Sequence, residues 1–447
     1  MSLKKFFSPK SVCIIGASRN KRKIGHVILK NFTETFRGRI YPVNPKAKKI
    51  LGLKCYHSLE KIKGKIDLAV IALPAEIVPY VLEECGEKGI KNCIVVSSGF
   101  KEIGNVKLEK EMKKIIKKYN IRLIGPNGLG IYDPYSGVDT IFNPKYKLGR
   151  PEKGNMGLIS QSGAVLCISL DWMSMRGYII SKAISYGNAT DVDIPELMEY
   201  LDRDKETKVM CLYMEGLKNG RKFFKTAKKI KKPIIALKGG KTEGGKKSAK
   251  THTGAMAGKA EIYSGAFRQT KIMETDDLEQ MFDLARALSN QPLPEGNRLR
   301  IITDAGGFGV LTSDWAEKFG LKITKVSEKS KRKLRKLIPA HATLSNLIDL
   351  TGDVTSEMYE ACYQDAVQDK SIDMIALILL FQPPLINEDV VDKILKLSGK
   401  KTTAILSAGG DYTEKLKQKL EKGGLPCFSS PKRCIEVLST MYRYSKK

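Results

Sequence analysis

The sequence predicts an α/β protein with mainly parallel sheets, and two observations support this fold class. Over the first 127 residues, short apolar runs alternate with longer amphipathic stretches whose apolar residues recur at helical spacing. The same alternation returns twice further along the chain, at residues 156–238 and 299–407. Strands that alternate with helices are typical of doubly wound sheets, in which helices connect parallel strands.

The first block is expected to form one such sheet. Its apolar runs predict strands at residues 11–18, 39–44, 67–74, 92–99 and 121–126. The amphipathic stretches between them predict helices at 25–36, 75–88 and 106–119. A stretch rich in glycine and proline follows, so we expect a domain at residues 1–127 and a linker at 128–153.

Two further α/β domains are expected, at residues 154–290 and 298–447, separated by a proline-containing linker. The second domain has predicted strands at 156–160, 179–185, 208–214 and 233–238, with helices from Lys259 and from Asp276. The third has predicted strands at 299–303, 321–326, 374–381 and 402–407. LISQSGAVLCISLDWMSMRGY and IITDAGGFGVLTSDWAEKFGL both pass from an apolar strand through small residues into a helix, which suggests that these two domains are duplicates.

The composition indicates a globular chain with an anionic partner. Its 447 residues are enough for about three domains, and 78 Lys and Arg against 48 Asp and Glu give a net charge of +30. This charge favours nucleic acid, anionic lipid, phosphorylated cofactors or an acidic partner chain. Only 7% of the residues are aromatic, and they are not interleaved with basic residues, so a nucleic-acid binder is the weakest of these classes.

The cysteines and the apolar runs indicate a cytoplasmic protein. The nine cysteines are an odd number without C-x-x-C or Cys/His clusters, which favours buried thiols in a reducing compartment and no metal site. The longest apolar run, 374–381, is much shorter than the roughly 20 residues that span a bilayer. We therefore expect no membrane association and no secretion.

A glycine turn at the end of the first predicted strand is the first candidate binding site. Gly16 could bring the backbone close to a phosphate at the start of the following helix. The full G-x-G-x-x-G pattern is absent, and such turns also serve packing alone. No carboxylate ends the second strand, where NAD sites place one, whereas Lys46 in YPVNPK would suit a ribose phosphate, as in NADP or coenzyme A.

The turn Ser160-Gln161-Ser162-Gly163 is the second candidate. It joins an apolar strand to an apolar helix, so two hydroxyls and free backbone N–H groups converge where a tetrahedral anion could bind. An ordinary serine N-cap would give the same sequence. Cys167, one helical turn further along, either lines a substrate pocket or, as we favour, lies in the core.

The glycine-rich, basic segment 239–258 is the third candidate. It contains His252 between two threonines, and its small residues leave room for movement and for phosphate. An imidazole can carry a phosphoryl group covalently, although a loop histidine is more often incidental. Glu215 ends an apolar strand at the edge where such sheets bind ligands, so its carboxylate could orient the imidazole; a surface acid or a helix cap is the alternative.

Together these motifs resemble the nucleoside-diphosphate-forming acyl-CoA synthetases, the superfamily of succinyl-CoA synthetase, and within it the alpha subunits of archaeal ADP-forming acetyl-CoA synthetases. The resemblance covers essentially the whole chain. It rests on SVCIIGAS, YPVNPK, GPNGLGI, LISQSGAV, SYGNATDVD, KTHTGAMAG and LIDLTGD, which occur in the family's order. It implies an N-terminal Rossmann-like CoA-binding domain followed by two flavodoxin-like doubly wound domains.

The resemblance also implies roles for individual residues. His252 matches the phosphorylated histidine, and Glu215 matches the carboxylate that orients it. The residues that match the phosphate-binding helix N-terminus are Ser160, Ser162 and Gly163. Those that match coenzyme A contacts are Gly16, Ser18, Arg19, Asn20, Lys46, Ser98 and Gly99.

The implied reaction converts acyl-CoA, phosphate and ADP reversibly to a carboxylate, coenzyme A and ATP through an acyl phosphate and phosphorylated His252. No segment of the chain resembles the family's ATP-grasp module. The resemblance therefore implies a separate ATP-grasp beta subunit in an α2β2 hetero-oligomer, with ADP or ATP and Mg²⁺ on that subunit and no tightly bound metal in this chain. The resemblance is to acetate–CoA ligases, and the sequence by itself does not specify the acyl group. An NADP-dependent dehydrogenase and a non-catalytic coenzyme A sensor or scaffold are the alternatives.

Overall fold

The computed structural model describes residues 3–247 and 259–446, and the chain divides into two compact units. Unit 1 is Met1–Leu278 and unit 2 is Glu279–Lys447. Both are built on sheets of mainly parallel strands with intervening helices, which confirms the predicted α/β fold class. No helix in the described part of the chain is long and apolar enough to cross a bilayer.

The first sheet of unit 1 has five parallel strands, and its central strands are fully buried because helices connect them. A two-stranded hairpin, β3 with β4, follows the second strand. The strands are β1 (Ser11–Ile15), β2 (Arg39–Val43), β3 (Lys49–Ile50), β4 (Leu53–Lys54), β5 (Leu68–Ile71), β6 (Asn92–Val95) and β7 (Arg122–Ile124). The helices are α1 (Lys4–Phe7), α2 (Ile24–Thr35), α3 (Val78–Glu87) and α4 (Val106–Tyr119). The sheet order is β2-β1-β5-β6-β7.

The second sheet of unit 1 has seven strands, in the order β14-β13-β12-β10-β11-β8-β9. The strands are β8 (Gly130–Asp133), β9 (Val138–Asp139), β10 (Lys153–Ser160), β11 (Ile180–Ser185), β12 (Val209–Met214), β13 (Ile234–Lys238) and β14 (Met273–Thr275). The helices are α5 (Gly163–Met175), α6 (Ile194–Arg203), α7 (Gly220–Ala227) and α8 (Ala260–Gln269). Residues 128–153, for which the sequence predicts a linker, instead supply β8 and β9 as antiparallel edge strands, because their apolar side chains, among them Ile131 and Val138, are buried.

Unit 2 contains the third sheet, with the order β17-β18-β15-β19-β20-β21 and β16 paired with β15. The strands are β15 (Arg298–Thr303), β16 (Lys322–Ile323), β17 (Thr343–Leu344), β18 (Ile348–Asp349), β19 (Met374–Ile378), β20 (Thr402–Leu406) and β21 (Cys427–Phe428). The helices are α9 (Leu278–Asn290), α10 (Gly306–Lys318), α11 (Glu328–Leu334), α12 (Ser356–Gln368), α13 (Asp389–Leu397), α14 (Asp411–Lys422) and α15 (Pro431–Ser445).

Helix α9, which the sequence places at the end of the second domain, lies almost wholly in unit 2. Arg433 on α15 donates hydrogen bonds to Asp283 at 2.7 Å and to Glu279 at 2.6 Å on α9. Arg286 on α9 pairs with Glu421. The side chains of Asp283, Arg286 and Glu421 in these ion pairs are largely buried. The ion pairs therefore explain why the two compact units divide before α9 rather than after it.

The parallel cores of the three sheets share one strand order. In each, the first strand is central, a later strand lies on one side, and three further strands follow in chain order on the other side, as in β11-β10-β12-β13-β14 and β18-β15-β19-β20-β21. In the third sheet the short β16 also pairs in parallel with β15. The shared order of the second and third sheets agrees with the duplication suggested by their sequences. In such sheets the connections beside the first strand leave in opposite directions, which opens a crevice at the carboxyl ends of the strands.

Candidate functional site

One cavity of about 1110 Å³ lies in unit 1 at the carboxyl ends of strands from both of its sheets. On the first sheet it is walled by the loops that follow β1, β2, β5 and β6. On the second sheet it is walled by the turn between β10 and α5 and by the loop after β11. Among the predicted site residues, those that line it are Gly16, Ser18, Ser98, Ser162 and Gly163.

The turn after β1 brings the backbone to the cavity wall. Gly16 has a φ of +92°, and a Cβ atom there would lie 2.3 Å from the carbonyl oxygen of Ala72, so only glycine fits. The hydroxyl of Ser18 accepts the N–H of Asn20 at 3.1 Å and shapes the next turn. Arg19 and Asn20 are exposed and do not line the cavity.

The wall at the end of β2 is formed by residues other than the predicted lysine. Asn44 lines the cavity and donates from its side chain to the carbonyl of Ala17 at 2.7 Å, which ties the β1 and β2 loops together. His57 lines the same end, with Nδ1 2.8 Å from the carbonyl oxygen of Pro45. Lys46 is exposed and outside the lining. The sequence does not indicate that His57 belongs to the site, because this residue follows the β3–β4 hairpin and reaches the cavity only through folding.

Ser98 lines the cavity from the loop after β6, and the neighbouring Gly99 does not. The N–H of Gly99 points away to Glu102, donating to its carboxylate at 2.6 Å. The Glu102 side chain, which the sequence analysis did not identify, therefore holds this loop from the side away from the cavity.

The opposite end of the cavity is the N-terminus of α5. Ser162 is the N-cap, and its hydroxyl accepts the N–H of Val165 at 3.3 Å. Ser160 is fully buried, and its hydroxyl donates to the carbonyl of Ser162 at 2.7 Å, so it stabilises the turn. The first amides of a helix have no acceptor inside it, so those of Gly163 and Ala164, both of which line the cavity, suit an anion.

Glu215 is buried at the end of β12, next to the strand that carries this turn. Its main-chain N–H donates to the side-chain oxygen of Gln161 at 2.7 Å, which connects Glu215 to the turn between β10 and α5. The hydroxyl of Tyr213 donates to its carboxylate at 3.2 Å. The buried ammonium of Lys238 donates to the carbonyl of Glu215 at 2.8 Å. Burial lowers the pKa of Lys238, and the nearby Glu215 carboxylate partly offsets this effect.

His252 lies outside the described residues. The segment that carries it leaves the end of β13, where the N–H of Gly239 donates to the carbonyl of Met214 at 2.9 Å. Because β12 and β13 are paired neighbours, this exit lies beside Glu215 at the same edge of the sheet. Lys241 anchors the start of the segment through ion pairs with Glu274 at 3.0 Å and Asp276 at 2.9 Å.

Cys167 is half-buried and lines the cavity, whereas the sequence favoured a core position for it. Leu129 and Phe142, from the segment predicted to be a linker, line the cavity as well. Burial raises the pKa of the Cys167 thiol, so this side chain lines the cavity as a neutral thiol rather than as a nucleophilic thiolate. Within the residues that the structure describes, no three His, Cys, Asp or Glu side chains are grouped to hold a metal ion.

Comparison with family models assigns three successive segments of the chain. The CoA binding domain model matches residues 10–134, the succinyl-CoA ligase like flavodoxin domain matches 153–288, and the ligase-CoA domain matches 299–447.

Curated relatives match over almost the whole chain. The acetate–CoA ligase (ADP-forming) of Methanocaldococcus jannaschii is 41% identical, over 99% of this chain and 63% of that protein. The acetate–CoA ligase (ADP-forming) II subunit alpha of Pyrococcus furiosus is 38% identical, over 99% of this chain and 97% of that subunit. The chain thus spans less than two thirds of the first relative and nearly all of the second.

A solved structure has the same architecture throughout. The dinucleotide forming acetyl-coenzyme A synthetase 1 of Ca. Korarchaeum cryptofilum, in complex with phosphate and ADP, is similar with a TM-score of 0.93 and 33% identity. The match covers 100% of this chain and 97% of that one.

Proposed function

The chain belongs to the family of ADP-forming acetate–CoA ligases, and on that basis we propose that it is the coenzyme A-binding, phosphohistidine-bearing subunit of such an enzyme. The single observation that carries the proposal is the continuous cavity in unit 1. It joins the loops of a coenzyme A-type sheet at one end to the N-terminus of α5 at the other. A thioester and an anion can therefore meet inside one cavity.

The proposed reaction begins with phosphate at the N-terminus of α5. A phosphate oxygen attacks the thioester carbon; the C–O bond forms, the C–S bond breaks, and coenzyme A leaves as the thiolate. The amides of Gly163 and Ala164 stabilise the anion that reacts, and Ser98 and Gly16 hold the coenzyme A side of the cavity. The product of this step is an acyl phosphate.

His252 then takes the phosphoryl group. An imidazole nitrogen attacks phosphorus, the N–P bond forms, and the P–O bond to the acyl group breaks so that the carboxylate leaves. Glu215 orients the ring by accepting its second N–H, which fixes the reactive tautomer. The segment that carries His252 leaves β13 beside Glu215, which supports this pairing.

ADP accepts the phosphoryl group on a partner. We assign this step to a separate ATP-grasp subunit, with Mg²⁺ bound beside the nucleotide, because the alpha subunits of Pyrococcus furiosus match nearly end to end. We also propose an α2β2 assembly, acetate as the acid and a cytoplasmic location. No observation favours an NADP-dependent dehydrogenase or a non-catalytic scaffold.

Labelling of His252 tests the proposed function. Incubation of the chain with acetyl-CoA and ³²P-phosphate is expected to give an acid-labile label that maps to His252, and His252→Ala should abolish both the label and ATP formation with the partner. The matched control is His341→Ala, an exposed histidine of unit 2, which should label normally. Turnover in the His252→Ala variant would remove the proposal.

A further inference from the structure

Two loops of unit 1 face the cavity from different sheets and meet behind it. The loop after β6 presents Ser97 and Ser98 to the cavity, on the side that we assign to coenzyme A. The loop after β11 presents Gly187 and Asn188, on the side of α5. The separation of these loops sets how closely the two reactants can approach.

Glu102 bridges the two loops from outside the cavity. One carboxylate oxygen accepts the N–H of Gly99 at 2.6 Å and that of Phe100 at 3.1 Å. The other oxygen accepts the side-chain N–H of Asn188 at 2.6 Å. Glu102 is half-buried and does not line the cavity, so it touches neither reactant.

Neighbouring contacts hold Asn188 from its other sides. Its carbonyl accepts the ammonium of Lys101 at 2.8 Å, and its N–H donates to the carbonyl of Pro126 at 2.9 Å. The following residue, Ala189, has a φ of +53°, a left-handed backbone that a residue other than glycine keeps only where its surroundings enforce it. The loop therefore depends on this network for its shape.

The Glu102 carboxylate keeps its charge at neutral pH. Burial alone would raise its pKa, but the hydrogen bonds from Asn188, Gly99 and Phe100 outweigh burial and hold the pKa below its usual value. The bridge therefore combines one charged acceptor with donors from both loops.

We propose that Glu102 is a positioning residue, which fixes the coenzyme A loop at Ser98 against the phosphate-side loop at Asn188 so that thioester and phosphate meet in reactive geometry. This inference rests on the proposed function. A displacement of reacting groups by about 1 Å can cost about 100-fold in rate. The bridge affects the step that uses both loops, which is formation of the acyl phosphate, and not the phosphoryl exchange between His252 and the nucleotide.

Exchanging the hydrogen-bond acceptor at Glu102 and the donor at Asn188 tests the bridge. In Glu102→Gln, the side-chain oxygen can still accept from Gly99 and Phe100, but its amide then faces the amide of Asn188. Asn188 can accept from this amide only by turning its oxygen away from the side chain of Asn127, which donates to it at 3.4 Å. In Asn188→Asp alone, two carboxylates face each other. In the double variant, the amide introduced at position 102 donates to the carboxylate introduced at position 188, which restores the bridge with reversed polarity. Glu83→Gln, on the surface beside Lys118, is the control for loss of a carboxylate.

The readout is His252 labelling from acetyl-CoA and phosphate, with the partner subunit present. We expect each single variant to lower kcat by about 100-fold while KM for acetyl-CoA stays within about threefold. At saturating phosphate the double variant should recover most of the loss in kcat, and its KM for phosphate should rise because the carboxylate introduced at position 188 faces the cavity. The rate at which ATP phosphorylates His252 should match the wild type in all these variants. Thermal melts of each variant show whether its fold is intact.

The outcomes separate this inference from the proposed function. If the wild-type chain is never labelled at His252, the proposed function fails. If the wild type is labelled but Glu102→Gln turns over normally, the bridge has no positioning role. Equal loss of both half-reactions, or no recovery in the double variant, would make Glu102 merely structural and overturn the inference.

Discussion

At the residue scale, Glu215 shows how one side chain is fixed by several elements. Its backbone is held by Gln161 from the α5 turn and by Lys238 from the next strand, and its carboxylate accepts from Tyr213. A carboxylate held at this edge can orient an imidazole without being free to move with it.

Glu215→Gln is expected to slow phosphoryl transfer to His252 by about 100-fold or more, because the amide cannot fix the imidazole tautomer. Coenzyme A affinity should be nearly unchanged, since Glu215 does not line the cavity. Isothermal titration with coenzyme A and single-turnover labelling measure the two effects separately. Equal loss in both assays would contradict the orienting role.

At the element scale, the N-terminus of α5 combines two functions of one serine. The Ser162 hydroxyl caps the helix, as the simpler interpretation of the sequence predicted, and the same turn lines the cavity. A cap and an anion site are compatible, because the cap satisfies the N–H of Val165 and leaves the first amides to a ligand.

Ser162→Asp separates the cap from the anion site. Aspartate retains the cap, so stability should stay close to wild type, but its charge repels phosphate and should raise KM for phosphate by about tenfold or more. Ser162→Ala should lose about 1 kcal/mol of stability, as should Ser327→Ala at the N-cap of α11 in unit 2. Only the two variants at Ser162 should alter phosphate use. Normal phosphate kinetics in Ser162→Asp would refute the anion site.

Asp304, at the end of β15 in unit 2, gives a pH-dependent prediction. Burial, with a smaller contribution from Asp349, raises its pKa to about 7. The folded state then binds a proton more tightly than the unfolded chain, so stability is full at low pH and falls as pH rises through the folded pKa. Asp304→Asn should therefore stabilise the protein by about 2–4 kcal/mol at about pH 8 and have little effect at about pH 4.

Asp373→Asn is the matched control with the opposite sign. Hydrogen bonds from Arg298 hold the pKa of Asp373 below its usual value, so its contribution is present at neutral pH and lost as pH falls. This variant should destabilise the protein at about pH 8 and little at about pH 3. Urea unfolding across this range checks both; parallel pH profiles for the two variants would contradict the assignments.

At the scale of the whole molecule, the chain divides into two compact units, of which the first holds two sheets and the second holds α9 with the third sheet. Unit 2 has its own apolar core around Ile302, Tyr363 and Leu377. A unit with its own core can fold alone when its boundary does not cut through buried contacts.

A fragment of residues 279–447 is therefore expected to fold cooperatively by itself. A fragment of 298–447, which matches the domain expected from sequence, lacks α9. Removing this helix exposes the part of unit 2 against which the buried side chains of Phe282 and Arg286 pack. The shorter fragment should therefore be less stable by about 3 kcal/mol or more. Circular dichroism and urea unfolding compare the two. Equal stability would show that α9 is dispensable for unit 2.

Local sequence patterns were sufficient to predict the alternation of strands and helices, because apolar periodicity is a local property. The family motifs are local as well, and the roles proposed for individual residues rest on the resemblance that these motifs carry. The strand predictions overran at their carboxyl ends, at residues 16–18, 72–74 and 96–99, because small and apolar residues continue from these strands into the loops that wall the cavity. Tertiary contacts were needed to show that residues 128–153 join a sheet, that α9 belongs to unit 2, and that Glu102 meets Asn188. Such contacts join residues far apart in the chain, so they depend on sheet order and loop packing, which no local pattern specifies.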